Sequence, residues 1–230
     1  MQKITVLLAD DHTVVRQGFR ALLEAEPDIA IVGEAGTGRQ AVQLARKLRP
    51  HVVLMDIAMP LLNGLEATRQ IIRQVPSSKV LVLSSYSDDE YVHQLTEAGA
   101  AGYLLKGAAV TDLVKAIREV RKGRAFFSPA ICKRLMSHYR ETLVKGVPVR
   151  KRTDLLSSRE AEVLQLIAEG KANKQIAAEL NLSIKTVERH RQRLMNRLGI
   201  HDIAGLTRYA ISKGVIETGS ALPSDCRATE

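Results

Sequence analysis

At 230 residues, with 45% hydrophobic and 26% charged residues, the chain has an ordinary globular composition and enough length for one large domain or two small ones. Five Tyr, three Phe and no Trp leave an aliphatic core and disfavour recognition surfaces built from stacked aromatic rings. No apolar run approaches the ~20 residues that span a bilayer, and Asp10 and Asp11 interrupt the N-terminal apolar stretch before it reaches signal-peptide length, so a cytoplasmic protein without membrane contact is expected.

In chain order, residues 4–9, 29–35, 52–55, 80–84 and 102–105 are short, continuous apolar runs of the kind that form buried parallel strands. Between and after them, residues 14–25, 39–48, 64–75, 88–98 and 111–122 show apolar spacing of three and four, as with Leu113, Val114, Ile117 and Val120. Five βα units with right-handed crossovers predict a flavodoxin-like, doubly wound, five-stranded parallel α/β sheet over residues 1–122, in strand order 2-1-3-4-5.

Residues 123–152 carry eight basic residues and one acidic one, most of the chain's net charge of +9, and read as a basic joint that could meet a polyanion. Within it Ser128-Pro129 opens a short linker helix with Ile131, Leu135 and Tyr139 on one face, which gives way to KGVPVRKR, a flexible connection. Residues 153–217 hold four helical patterns and no strand signal, a small all-α domain. Its first helix opens with Ser157 and Glu160 in capping-box spacing and closes at Gly170, and Asn173 and Ser183 are candidate caps for the next two. Residues 218–230 read as a disordered tail. Cys132 and Cys226, without metal-ligand spacing, read as free thiols.

In an open α/β sheet, ligands bind beyond the carboxyl ends of the strands at the switch in strand order. Asp10 and Asp11 follow the first predicted strand and Asp56 the third, so this topology gathers three carboxylates in one crevice. Like charges so close raise one another's pKa unless a cation neutralises them, and an all-oxygen ligand set suits Mg²⁺. Ser84 ends the fourth strand and Lys106 follows the fifth. A metal, an ammonium and a hydroxyl around a carboxylate are what a transferring phosphoryl group needs, with Asp56 as the acceptor. Taken singly, an Asp pair is usually a solvated turn and a loop Lys is usually surface; it is their convergence that points to chemistry.

The segments LLADDH, VLMDIAMPLLNG, VLSS and GYLLKGA resemble the receiver domain of bacterial two-component response regulators across residues 1–122. The resemblance implies that Asp56 accepts phosphate from a partner sensor histidine kinase. It also implies that Asp11, Asp56 and the backbone carbonyl of Ala58 bind Mg²⁺ directly, with Asp10 acting through water. Ser84 and Lys106 would contact the phosphoryl group, Tyr103 would be a switch aromatic that turns inward, and Met59-Pro60 and Gly64 would shape the loop after the acceptor. Aspartyl-phosphate chemistry also serves phosphatases and ATPases, but the chain has no GxxxxGK[ST] phosphate loop, and a non-enzymatic role is expected.

Residues 173–198 predict two helices joined at Asn181-Leu182, a helix-turn-helix spacing. On the second, Ile184, Val187, Leu194 and Leu198 form an apolar stripe opposite Lys185, Glu188, Arg189, Gln192 and Asn196, long-armed side chains suited to the major groove. The stretch from Leu156 to Ile200 is similar to the LuxR-type helix-turn-helix, and its pairing with a receiver is that of the NarL/FixJ response regulators, a resemblance covering about nine-tenths of the chain. It implies a transcription factor for double-stranded promoter DNA that is covered by its own receiver until phosphorylated and then dimerises. Asn173 and Lys174 would meet the backbone, Lys185, Thr186, Glu188, Arg189, Gln192 and Arg193 would meet bases and phosphates, and a last helix at 202–213 would form a homodimer on DNA. The chain departs from the family at Glu188, where many relatives carry a basic residue and an acid needs a base edge, Arg191 or Gln192 as partner.

Overall fold

The computed structural model describes residues 3–84, 89–107, 110–129, 131–133, 135–137 and 156–216. The chain divides into two compact units, Met1–Asp154 and Leu155–Glu230. The first runs β1 (Ile4–Ala9), α1 (Thr13–Glu24), β2 (Ile29–Ala35), α2 (Gly38–Leu48), β3 (Val52–Asp56), α3 (Gly64–Gln74), β4 (Lys79–Ser84), α4 (Asp89–Glu97), β5 (Gly102–Leu105), α5 (Val110–Arg121) and β6 (Phe126–Phe127). The strands form a parallel sheet in the order β2-β1-β3-β4-β5-β6. The expected doubly wound topology is therefore present.

The sheet has six strands rather than five. Phe126 and Phe127 pair with Gly102 and Tyr103, and the Phe126 amide donates to the Ala101 carbonyl at 3.1 Å. A two-residue strand carries no periodicity to read, and its pairing is fixed by the neighbouring edge. Ile131 is fully buried and Leu135 packs against the same core, so the first part of the basic segment is core of this unit and not only a joint. Residues 129, 131–133 and 135–137 are helical, as expected of a linker helix. Tyr139, Arg150 to Arg152, Cys226 and the tail lie outside the described residues; Cys132 is a free, exposed thiol.

Alternation of side chains along the strands makes two cores, one on each face of the sheet. One holds Leu7, Val53, Met55, Val80, Val82 and Tyr103 against α2, α3 and α4; the other holds Val6, Leu8, Leu54, Leu81 and Leu104 against α1 and α5. Leu113, Val114, Ile117 and Val120 are all buried, as the α5 periodicity predicts. Thr37 and Asn63 cap α2 and α3 by accepting from the amides of Gln40 and Glu66.

The second unit is helical throughout its described part: α6 (Ser158–Ala168), α7 (Asn173–Leu180), α8 (Ile184–Leu198) and α9 (Ile203–Ser212). Helix α6 packs on α8 and α9, and α7 on α8, around Val163, Leu166, Ile176, Val187, Leu194 and Leu206. Ser157 and Glu160 form the expected capping box, Ser183 caps α8 and Asp202 caps α9. Asn173 is not a cap: Ala172 occupies that position, and the Asn173 amide oxygen instead accepts from Arg191 Nη1 at 3.2 Å. Between α7 and α8, Asn181 takes the left-handed conformation at φ 52°, which a short side chain that bonds locally tolerates best. Among the described residues no helix is long and apolar enough to cross a membrane.

Candidate functional site

The register of the sheet builds the first site. Ala9 pairs with Met55, Asp56 with Leu83 and Ser84 with Leu105. Asp10, Asp56, Ser84 and Lys106 therefore reach the same carboxyl-end rim at successive strand ends. Asp10 and Asp56 are 4% and 5% exposed, and Ser84 is fully buried. Lys106 Nζ lies 2.8 Å from Asp10 Oδ2 and 2.9 Å from Asp56 Oδ2, one ammonium bridging two carboxylates.

Burial pushes the Asp56 carboxyl up to about 6, against the pull of its hydrogen bond and charge from Lys106. For Lys106 burial acts downward, but its bonds to Asp10 and Asp56 outweigh it and hold the ammonium above its ordinary value. The second Asp56 oxygen accepts from the Ile57 amide at 2.8 Å. Ligand atoms of Asp10, Asp11, His12 and Asp56 lie within 4.8 Å of one another. Three carboxylates this close, two of them buried, fit a hard divalent cation.

The loop after Asp56 closes on itself. Gly64 N–H donates to Ile57 O at 2.7 Å, and a Cβ at Gly64 would stand 1.9 Å from the Asp56 carbonyl, so only glycine admits this approach. Ala58 is half-buried in this loop and Met59 is buried. Leu61 takes the left-handed region at φ 67°, a strained conformation for a bulky residue. Tyr103, 1% exposed, is already enclosed in the core.

Two neighbours join the site without a signal in residue type. His12 Nδ1 approaches Asp11 Oδ1 at 2.8 Å and Asp10 Oδ1 at 3.3 Å. Arg16 Nη1 donates to the Asp10 carbonyl at 2.6 Å. Only the adjacency of His12 to the acidic pair could have suggested the first; a bond to a backbone oxygen leaves no trace in residue type.

In the second unit, Lys174, Lys185, Glu188, Arg189, Gln192 and Arg193 are exposed, with Asn173 and Thr186 half-buried at the starts of α7 and α8. Thr186 is tied to Ser183, whose hydroxyl accepts from the Thr186 amide at 3.1 Å. The apolar stripe of α8 is narrower than expected: Val187 and Leu194 are fully buried and Met195 joins them, whereas Ile184, in the first turn, is 45% exposed. Glu188 takes neither partner suggested for it. Arg191 bonds Asn173, Gln192 bonds Asn196 at 2.9 Å, and among the described residues the Glu188 carboxylate makes no ion pair.

Comparison with known proteins places both units. Residues 6–118 match the response regulator receiver domain, and residues 154–210 match the luxR family of bacterial regulatory proteins. The chain is 42% identical over 207 residues to the transcriptional regulatory protein LiaR of Bacillus subtilis, covering 90% of this chain and 96% of that one. It is 36% identical to DegU of Brevibacillus brevis, with coverages of 94% and 96%. Among solved structures, RcsB of Salmonella enterica serovar Typhimurium, bound to promoter DNA in the presence of the phosphomimetic BeF3⁻, is 30% identical, with a TM-score of 0.56 over 90% of this chain and 98% of that one. A six-stranded parallel sheet with an acidic rim, followed by a helix-turn-helix, and relatives of this length and identity lead to one conclusion: the chain belongs to the two-component response regulators that join a receiver domain to a LuxR-type helix-turn-helix.

Proposed function

We propose that this chain is a cytoplasmic, phosphorylation-switched transcriptional regulator, in which a sensor histidine kinase transfers a phosphoryl group to Asp56 and so promotes dimerisation and promoter binding. The observation that carries this is the buried Asp56 carboxylate, with one oxygen on Lys106 and with Asp10 and Asp11 beside it. In the transfer, the phosphorus–nitrogen bond of the kinase's phosphohistidine breaks, its electron pair stays on the imidazole, and a phosphorus–oxygen bond forms to Asp56. The nucleophile is the ionised carboxylate, and a carboxyl at about 6 is mostly ionised at neutral pH.

Lys106 neutralises charge on the incoming phosphoryl oxygens, and the Ser84 hydroxyl at the next strand end is placed to contact one of them. Asp11, Asp56 and the Ala58 carbonyl would hold Mg²⁺ directly and Asp10 through water; when bound, the ion supplies further charge neutralisation. Because Tyr103 is already buried, phosphorylation would secure that inward position rather than create it.

Helix α8 is the major-groove reader, with Lys185, Thr186, Glu188, Arg189, Gln192 and Arg193 toward DNA and Asn173 and Lys174 toward the backbone. That a relative, RcsB, is bound to promoter DNA supports DNA binding as the output of this unit. Ile203 and Ile211, 53% and 37% exposed on α9, suit a homodimer contact that sets two α8 helices about one DNA turn apart.

The test is intact mass after incubation with a small-molecule phosphodonor, with and without Mg²⁺, on wild type and Asp56→Ala, followed by a DNA mobility shift. One Mg²⁺-dependent adduct lost in the variant, with tighter DNA binding by the modified protein, is expected. DNA binding without any adduct would leave a phosphate-independent DNA-binding protein.

A further inference from the structure

We propose that Arg16 is a positioning residue for the acidic turn: its guanidinium fastens Asp10 to β2 through Glu34, and so fixes where the Asp10 and Asp11 carboxylates stand for a divalent cation. The proposal rests on the assignment of Asp56 as phosphoacceptor and extends it to the restraint of its neighbours.

The turn between β1 and α1 must hold two acids next to a third that is buried. Mutual repulsion drives such a turn outward. Besides the side-chain contacts of Lys106 Nζ with Asp10 Oδ2 and of His12 Nδ1 with Asp11 Oδ1, both at 2.8 Å, its backbone is tied by the Asp10 amide, which donates to Ala35 O at 3.1 Å, and by the His12 amide, which donates to Asp10 Oδ1 at 2.8 Å. Arg16 adds three more with one planar group. Nη1 donates to the Asp10 carbonyl at 2.6 Å, Nη2 to Thr13 Oγ1 at 3.2 Å and Nε to Glu34 Oε2 at 3.3 Å. Its side chain is only 15% exposed, so the bonds to Asp10 and Glu34, both partly buried, compete little with water, whereas the one to Thr13 is exposed.

Glu34 is anchored in turn. Its other oxygen accepts from Arg20 Nε at 2.5 Å, and Arg20 Nη1 also reaches Glu24 Oε1 at 2.7 Å. The bonds from Arg20 and Arg16 hold the Glu34 carboxyl below its usual range, so it stays an anion across neutral pH. The result is a chain of fixed charges from α1 through β2 to the main chain of Asp10. Only a fork of several donors in one plane can bridge a backbone carbonyl, a hydroxyl and a carboxylate together; an ammonium offers a point charge instead. Groups that orient metal ligands without touching the metal commonly govern affinity strongly.

The test uses the full chain with Arg16→Met, Arg16→Lys and Glu34→Gln, and Val120→Ala as a core deletion on α5. Two readouts are followed across a Mg²⁺ titration: the rise in Tm, and the rate of phosphodonor labelling by intact mass. Arg16→Met should raise the half-saturating Mg²⁺ about tenfold in both readouts while retaining the maximal labelling rate. Glu34→Gln should move it in the same direction, and Arg16→Lys should fail to restore it. Val120→Ala should lower Tm without moving it.

Wild-type half-saturation in Arg16→Met, full rescue by Lys, or an equal shift in Val120→Ala overturns the proposal. If Mg²⁺ raises the Tm of wild type but no adduct forms, the phosphoacceptor assignment fails, and a Tm half-saturation still displaced in Arg16→Met sustains the clamp. If Mg²⁺ changes neither the wild-type Tm nor the wild-type labelling rate, both fail.

Discussion

Asp56 is held in two opposed ways, since burial favours its protonated form and Lys106 favours its charge. The sign of the balance sets a pH dependence. Its carboxyl is raised from 3.8 to about 6, so the folded state binds this proton more tightly than the unfolded chain does. The stability that follows, about 3 kcal/mol, is fully present below 3.8 and is lost as pH rises through about 6. Asn keeps the size of the protonated acid and cannot ionise. Asp56→Asn should therefore gain stability relative to wild type between pH 4.5 and 7.5 when both are unfolded by denaturant in EDTA; an equal difference at the two pH values would mean that burial does not set this proton's affinity. Added Mg²⁺ should narrow the gap at pH 7.5, because a ligand that binds only the folded wild type at ten times its Kd contributes about 1.4 kcal/mol. Asp10, Asp56 and Lys106 could be grouped from sequence because each ends or follows an apolar run, and strand ends converge in a parallel sheet. Arg16 could not, because its partner is a backbone oxygen.

Elements were legible where a pattern is long enough to carry a period. The runs at 4–9, 29–35 and 102–105 match β1, β2 and β5 to the residue, and every described helix of the sheet unit falls within a residue of its apolar spacing at each end. What escaped was short or decided by neighbours: β6 has two residues, Ile131 is buried by docking against a finished sheet, and Ile184 lies on the apolar side of α8 yet extends past the core that Val187 and Leu194 enter. The caps at Ser157 and Ser183 were legible from a side-chain oxygen at the right spacing, whereas Asn173 proved to stand one residue inside its helix and Thr37, Asn63 and Asp202 were not singled out; the box at Ser157 and Glu160 gives a test. The Glu160 carboxylate is buried, and burial alone would raise its pKa; bonds from the Ser157 amide and hydroxyl and the charges of Arg197 and His190 prevail and lower it below 4.5. A depressed carboxyl contributes stability present above its unfolded value and lost as pH falls through the folded one. Glu160→Gln should speed hydrogen exchange of the α6 amides at neutral pH, with the difference from wild type closing below about pH 4.5. A difference unchanged by acid would show that shape rather than charge holds the α6 terminus.

At the scale of the molecule, charge is uneven in a way that bears on DNA. Residues 153–217 carry ten basic and eight acidic residues, nearly balanced, whereas 123–152 carry eight basic residues against one acid. Helix α8 concentrates its share on an exposed face, yet Glu188 stands there without a counter-charge among the described residues. If the basic segment follows the phosphate backbone beside α8, each Lys or Arg that neutralises one phosphate releases condensed counterions and steepens the fall of log K with log salt by about 0.9. Replacing Arg150, Lys151 and Arg152 together by Ala should then flatten the slope by up to about 2.7 for promoter and random DNA alike, since phosphate contacts carry no sequence information. If Glu188 faces a base edge, Glu188→Lys should do the reverse on random DNA, steepening the slope by about 0.9 and narrowing the ratio of specific to nonspecific affinity, because it would exchange a base-edge acceptor for a phosphate contact. Fluorescence anisotropy over a salt series separates the two effects. A slope indifferent to the triple Ala variant would confine DNA contact to the helix-turn-helix, and a specificity ratio unmoved by Glu188→Lys would mean that the recognition helix reads its operator without that acid.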